Sequence, residues 1–133
     1  MRIILLKLLL LALALLTPHF SNAEWILVKE DDDKSVYYDP TRTLRNDLYV
    51  QVWVLANWGV VQTTKNAKSY QSVLSLQQYA CSENKFIALS HNLFEKPDGT
   101  GTLVYKTSDQ AWKYVLPNGD YQDEVFKLVC LKK

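Results

Sequence analysis

Leu48-Tyr49-Val50-Gln51-Val52-Trp53-Val54-Leu55-Ala56-Asn57 is the stretch on which the fold turns. Leu48, Val50, Val52 and Val54 point to one side of an extended chain, and Tyr49, Gln51, Trp53 and Leu55 to the other. Both sides carry apolar groups, so this strand belongs in the middle of a sheet rather than at its rim. Asn46-Asp47 precedes it, a pair that tolerates left-handed backbone, and Thr43–Arg45 lies before that. Thr43–Asn57 therefore reads as a hairpin.

Working outward, the β character continues on both sides. Trp25–Lys29 and Ser35–Asp39 are short strands around the charged turn Glu30–Lys34, and Pro40 stops the second. The triple Asp31–Asp33 lacks the spaced oxygens and bend glycine of a calcium loop and reads as a solvated turn. Downstream, Gly59–Lys68 is a polar connection. Ser69–Cys81 alternates over Val73, Ser75, Gln77, Tyr79 and Cys81, turns at Ser82-Glu83-Asn84, and pairs back through Lys85–Asn92. Pro97-Asp98-Gly99 marks the next turn, followed by strands at Leu103–Thr107 and Trp112–Leu116.

After Pro117-Asn118-Gly119 the pattern changes. Asp120 is placed to cap a helix, Asp123 and Glu124 suit its positive end, and Tyr121, Val125, Leu128 and Val129 share one helical face. Phe126, Leu128 and Cys130 also alternate, so a last strand competes; the cap and acidic first turn favour the helix. The expected class is α+β: an antiparallel sheet of about six strands with a C-terminal helix.

The chain has 133 residues, a formal net charge of +1, 48% hydrophobic and 22% charged residues. That is one domain. Met1–Ala23 reads as a secretory signal: Arg2 and Lys7 at the positive end, an apolar run over Leu8–Leu16, a break at Thr17-Pro18, and small residues at Ser21-Asn22-Ala23. The mature domain is then Glu24–Lys133, expected in the periplasm or at the cell surface. The apolar run is short for a span of ~20 residues, so no stable membrane insertion is expected once the signal is removed. No Cys lies near the cleavage site, which excludes a lipoprotein. The near-neutral balance gives no drive toward nucleic acid.

In an exported chain the two cysteines, Cys81 and Cys130, are most simply a disulfide. The loop of about 50 residues that it closes is worth ~4 kcal/mol in the chain-entropy model. With His19 in the leader, His91 is the mature domain's histidine. It sits at a strand end, with no G-x-S-x-G, P-loop or G-x-G-x-x-G motif in the chain. No catalytic, cofactor or metal residue is assigned, and the chain reads as a non-enzymatic protein. Trp25, Trp53 and Trp112 are expected to fill the core, and Trp58, beside Gly59, to be the exposed one.

In order along the chain, Trp25-Ile26-Leu27-Val28, Tyr37-Tyr38-Asp39-Pro40, Val50-Gln51-Val52-Trp53, Tyr79-Ala80-Cys81, Ala88-Leu89-Ser90 and Phe126-Lys127-Leu128-Val129-Cys130 resemble the bacterial surface-adhesin protein E-like domain family. The resemblance implies a sheet with its C-terminal helix held by the disulfide. It also implies adhesion to host matrix proteins such as vitronectin and laminin. The family's adhesin presents a strongly basic stretch ahead of its first Cys; Lys65–Leu89 here offers Lys65, Lys68 and Lys85 against Glu83. Joining positive charge to exposed aromatic surface gives the candidate ligand residues Trp58, Lys65, Lys68, Tyr70 and Lys85. In a hairpin closed at Ser82–Asn84, Lys85 lies at the far end from Lys65 and Lys68. A curled sheet or a homodimer would be needed to unite them. The alternative role is a soluble periplasmic accessory protein with no host ligand.

Overall fold

The computed structural model describes residues 2–7 and 23–131. The expected leader, 1–23, lies for the most part outside the described residues. Among the described residues no helix is long and apolar enough to cross a membrane.

Among the described residues, eight strands form one antiparallel sheet: β1 (Ile26–Glu30), β2 (Lys34–Tyr38), β3 (Leu44–Arg45), β4 (Val50–Thr63), β5 (Ser69–Ala80), β6 (Lys85–Lys96), β7 (Thr100–Thr107) and β8 (Lys113–Tyr114). The order is β1-β2-β4-β5-β6-β7. The two remaining strands are continuations of these lines: β3 follows β2 along the free edge of β4, and β8 follows β7 along β6. The expected six strand positions are thus present, two of them interrupted. The 3-10 turn at Pro40–Arg42 makes the first interruption. The Thr43–Asn57 hairpin closes as expected, with Asn46 Oδ1 accepting from the backbone N–H groups of Leu48 and Tyr49.

The C-terminal segment is a helix, α1 (Gln122–Cys130). It lies on the face to which β4 turns its even residues. Val50, Val52, Val54 and Ala56 form one buried cluster with Val36, Tyr38 and Tyr79 beneath Val125, Phe126 and Val129. Asp120 is not the helix cap: the residue at the cap position is Tyr121, in helical conformation. Asp120 instead accepts from the Tyr121 N–H through Oδ1 and pairs with Lys34 through Oδ2. The other helix end is held from the sheet, Arg45 Nη1 donating to the Val129 carbonyl, a cation at the negative end of the helix. Cys81, just past β5, is bonded to Cys130, with Cα atoms 5.5 Å apart.

Beneath the helix, Tyr79 Oη donates to Gln77 Oε1 at 2.6 Å, and Gln77 Nε2 donates to Tyr121 Oη at 2.7 Å. Gln77 is 1% exposed, so this chain satisfies its buried amide and ties the helix start to the central strand. Burial pushes the Tyr121 hydroxyl up to about 12, and that of Tyr79 well above its usual value. Both stay neutral donors or acceptors across the physiological range.

Two further expectations are overturned. Gly59–Lys68 is not all connection: β4 runs on to Thr63 through an irregularity between Asn57 and Gln62, and the turn proper is Thr64–Lys68. Pairing of Gln62 with Tyr70 and Thr63 with Ser69 carries the polar stretch into the sheet. The tryptophans also differ from expectation. Trp25, Trp53 and Trp58 are all half-buried, and Trp112 is exposed and stacked on Tyr49. Of the four, Trp58 packs against the core cluster. The reason is parity. Trp58 continues the even row of β4 on the helix face, whereas Trp53 is odd and faces away from α1.

On that second face the Pro97–Gly99 turn folds back over the sheet. Asn57 and Asp98 exchange hydrogen bonds, Ser72 Oγ accepts from Gly99 N–H, and Leu55 beside Gly99 is only 1% exposed. Gly99, at φ 66°, adopts the left-handed conformation that such a reversal needs.

Asp39, fully buried, organises the neighbouring corner. It accepts from Thr41 N–H, Thr41 Oγ1 and Arg42 Nε, and Arg42 then lies 5.5 Å from the Trp25 ring and 5.9 Å from that of Trp53. Burial works to raise the Asp39 carboxyl. The hydrogen bonds from Thr41 and Arg42, with the Arg42 charge, outweigh it and hold the carboxyl below its usual value. A lowered folded value means the ionised form stabilises the fold above the ordinary carboxylate pKa of about 3.9 and ceases to as pH falls through the lower value. Asp39→Asn is expected to cost about 1–3 kcal/mol at neutral pH. Urea melts of both proteins down to acid pH check this, and the difference between them should shrink below about pH 4.

Candidate functional site

Helix α1 is only 9 residues long and covers only one end of its face. Toward the other end, the rows ending in Ala56 and Trp58 on β4, Val73 on β5 and Leu93 on β6 are left open. They floor a cleft of about 280 Å³. Tyr121 and Asp120 wall it on the helix side. Trp58 and Tyr70 wall it opposite, ring centroids 6.0 Å apart and edge-on. Lys34, from the start of β2, crosses the opening with its ammonium 2.9 Å from Asp120 Oδ2.

At the back of the cleft stands a hydrogen-bonded relay. Ser75 Oγ lies 2.8 Å from His91 Nδ1, and His91 Nε2 lies 3.1 Å from Asp109 Oδ1. With its proton on Nε2, the ring donates to Asp109 and accepts from Ser75. His91 is therefore inside β6, not at a strand end as its sequence neighbours suggest. A register shift brings it there: Gln77 pairs with Ala88 but Leu76 with Ser90, so Leu89 is an extra residue and the following side chains change sides. Asp109 reinforces the bulge, its N–H donating to Ala88 O and its Oδ2 accepting from Ala88 N–H, both at 2.9 Å.

A serine, a histidine and a carboxylate in series are the parts of a nucleophilic device. Ser75, however, is 3% exposed and lies in β5 between β4 and β6, where backbone N–H groups go to the two ladders. Among the described residues, the backbone N–H groups beside its hydroxyl are thus committed to the sheet rather than free to hold an oxyanion. The relay clamps β5, β6 and the end of β7 around the bulge and supplies the cleft with a polar rear wall.

Of the candidate ligand residues, Trp58 and Tyr70 meet across the β4–β5 hairpin. Lys65 is exposed in the turn, and Lys68, at its end, points its ammonium to within 3.4 Å of the Val104 carbonyl. These four occupy one end of the sheet. Lys85 is at the other, roughly 40 Å away for a 12-residue strand. Its ammonium lies 5.1 Å over the Tyr114 ring and 4.0 Å from Glu83. Lys34, Asp120 and Tyr121 join the cleft; from sequence Asp120 reads as a helix cap and Tyr121 as part of a helical face, neither as a ligand residue. The even-numbered row running on to Trp58 was the available signal for the cleft floor; nothing in the sequence pointed to Lys34.

Curated protein sequences include no match to this chain. Among solved structures, it is similar to the crystal structure of protein E from non-typeable Haemophilus influenzae. That likeness has a TM-score of 0.56 at 11% identity and covers 86% of this chain and 80% of that one. A second structure of Haemophilus influenzae protein E gives a TM-score of 0.55 at 13% identity, covering 86% of this chain and 89% of that one. At such identities these likenesses bear on the fold alone. The sequence itself matches the family model for surface-adhesin protein E over residues 25–131, a span running from the strand before the first charged turn to the end of the stapled helix. The chain belongs to the surface-adhesin protein E family.

Proposed function

We propose that this chain is an exported cell-envelope protein, released from its leader after Ala23, that acts as a non-catalytic, adhesin-like module binding a protein ligand at the β4–β5 end of its sheet. The observation that carries the reading is the Trp58–Tyr70 pair beside the exposed Lys65. Two large rings supply contact area at low entropy cost, and Lys65 and Lys68 orient the encounter. Family membership supports an adhesin-like role, and the family resemblance names vitronectin and laminin as the ligands to try first.

The mature domain is expected to bind immobilised vitronectin or laminin saturably at micromolar concentration. A Trp58→Ala/Lys65→Ala/Lys68→Ala variant should lose about tenfold or more, the scale of truncating a central aromatic anchor. Because Trp58 also packs on the core, Lys65→Glu/Lys68→Glu serves as a second variant with the core untouched. Absence of saturable binding by the wild-type domain, or equal binding by both variants, overturns the site and leaves the periplasmic accessory role. Surface labelling of intact cells reports display directly.

A further inference from the structure

The Lys34 ammonium marks a cation position. It sits 5.5 Å from the centroid of the Trp58 ring, 5.3 Å from that of Tyr121, and 2.9 Å from Asp120 Oδ2. Two π-faces and a carboxylate converging on one point stabilise positive charge there, and only 17% of the Lys34 side chain remains exposed. Behind the ammonium the cleft continues, with room for a second long side chain.

The charge that lines this space is one ammonium and one carboxylate, Lys34 and Asp120, paired with each other. Once Lys34 swings out, Asp120 is the charge left at the mouth, and an incoming anion meets it. A neutral side chain could use the walls but not the charge. An organic cation uses both, and a planar guanidinium can in addition stack on an aromatic face. Exchange of one cation for another is also cheap. Lys34 has a flexible four-carbon stem and can return its ammonium to water, while Asp120, half exposed, keeps a cationic partner throughout.

We propose that the cleft is a subsite for a cationic side chain of a protein partner, arginine before lysine, and that Lys34 is the internal occupant which that side chain displaces. The proposal rests on the reading of the domain as a binding module and names the chemistry of one anchor on its partner.

The test titrates the mature domain with N-acetyl-arginine amide, its neutral isostere N-acetyl-citrulline amide, and N-acetyl-tryptophan amide. The readout is the Trp58 indole N–H resonance, assigned with Trp58→Phe. The arginine probe should shift it saturably, and the citrulline and tryptophan probes should bind at least about fivefold more weakly, as expected if the cation–π and ionic contacts carry the affinity. Lys34→Met, which keeps an unbranched side chain in place, should raise affinity for the arginine probe by about tenfold and leave the citrulline probe little changed. A matching amide spectrum for Lys34→Met establishes that the fold is intact.

An equal response to arginine and citrulline, no saturable shift, or unchanged arginine affinity in Lys34→Met overturns the proposal. Matrix-protein binding that persists while the arginine probe neither binds nor competes removes the cation subsite and leaves the adhesin reading standing. Arginine-selective binding without vitronectin or laminin binding keeps the subsite and removes those ligands.

Discussion

Cys130→Ser is expected to lower the stability of the domain by about 2–5 kcal/mol and to free α1 before the sheet opens. The bond joins the end of β5 to the last residue of α1 across a sequence separation of 49, so its loss enlarges the unfolded ensemble appreciably. A 9-residue helix has no independent stability in water, where even good helix formers need about 12–15 residues. What keeps α1 in place is the disulfide, the buried face of Val125, Phe126 and Val129, and the two polar ties through Gln77 and Arg45. Hydrogen exchange is the measurement. In the variant, the α1 amides should lose protection while those of β4 and β5 follow only the global stability. Uniform loss across helix and sheet would mean that the helix is no separate opening unit.

Phe126→Ala is expected to cost about 3–5 kcal/mol, the range for deleting a buried aromatic side chain from a core. Phe126 is 8% exposed, with its ring centroid 6.3 Å from that of Tyr79, the fully buried tyrosine of the central strand. The helix cannot slide to refill the gap. Its C-terminal end is fixed at Cys81 and its start is fixed by the Tyr121–Gln77 bond, so the cavity stays largely open and the upper part of the range applies. Denaturant midpoints at constant m-value check the figure, and a loss under about 1 kcal/mol would show that the helix face repacks freely. Combined with Cys130→Ser the two losses should not add, because both act on the docking of one short helix.

Much of this molecule follows from local pattern. The alternation through Leu48–Asn57 places four β4 side chains on one face whatever they pack against, the Asn46 side chain closes its turn by accepting from Leu48 and Tyr49 N–H, and Asp98 and Gly99 supply left-handed backbone that few other residues adopt. With two cysteines there is one intramolecular pairing, and it forms. The acidic first turn and apolar spacing of Gln122–Cys130 agree with helix, and helix is found. The cap was misread because Asp120 reaches the neighbouring N–H and Lys34 from just outside the helix start, a placement that residue type alone does not separate from capping.

The rest was decided by tertiary structure. Periodicity says which residues share a face, but not which face the helix will cover, so Trp58 rather than Trp53 packs on the core once α1 settles on the even side of β4. Nor does the sequence say how far along that face a 9-residue helix extends, and the uncovered remainder is the cleft. Ser75, His91 and Asp109 lie on three separate segments, and Lys34 reaches Asp120 across 86 positions. Their meeting depends on strand register, on one extra residue in β6, on the disulfide that fixes the helix end, and on the Tyr121–Gln77 bond that fixes its start. Each side chain's face is a local property of the backbone. Its partner is set by long-range pairing, in which a one-residue shift moves every following side chain to the opposite face.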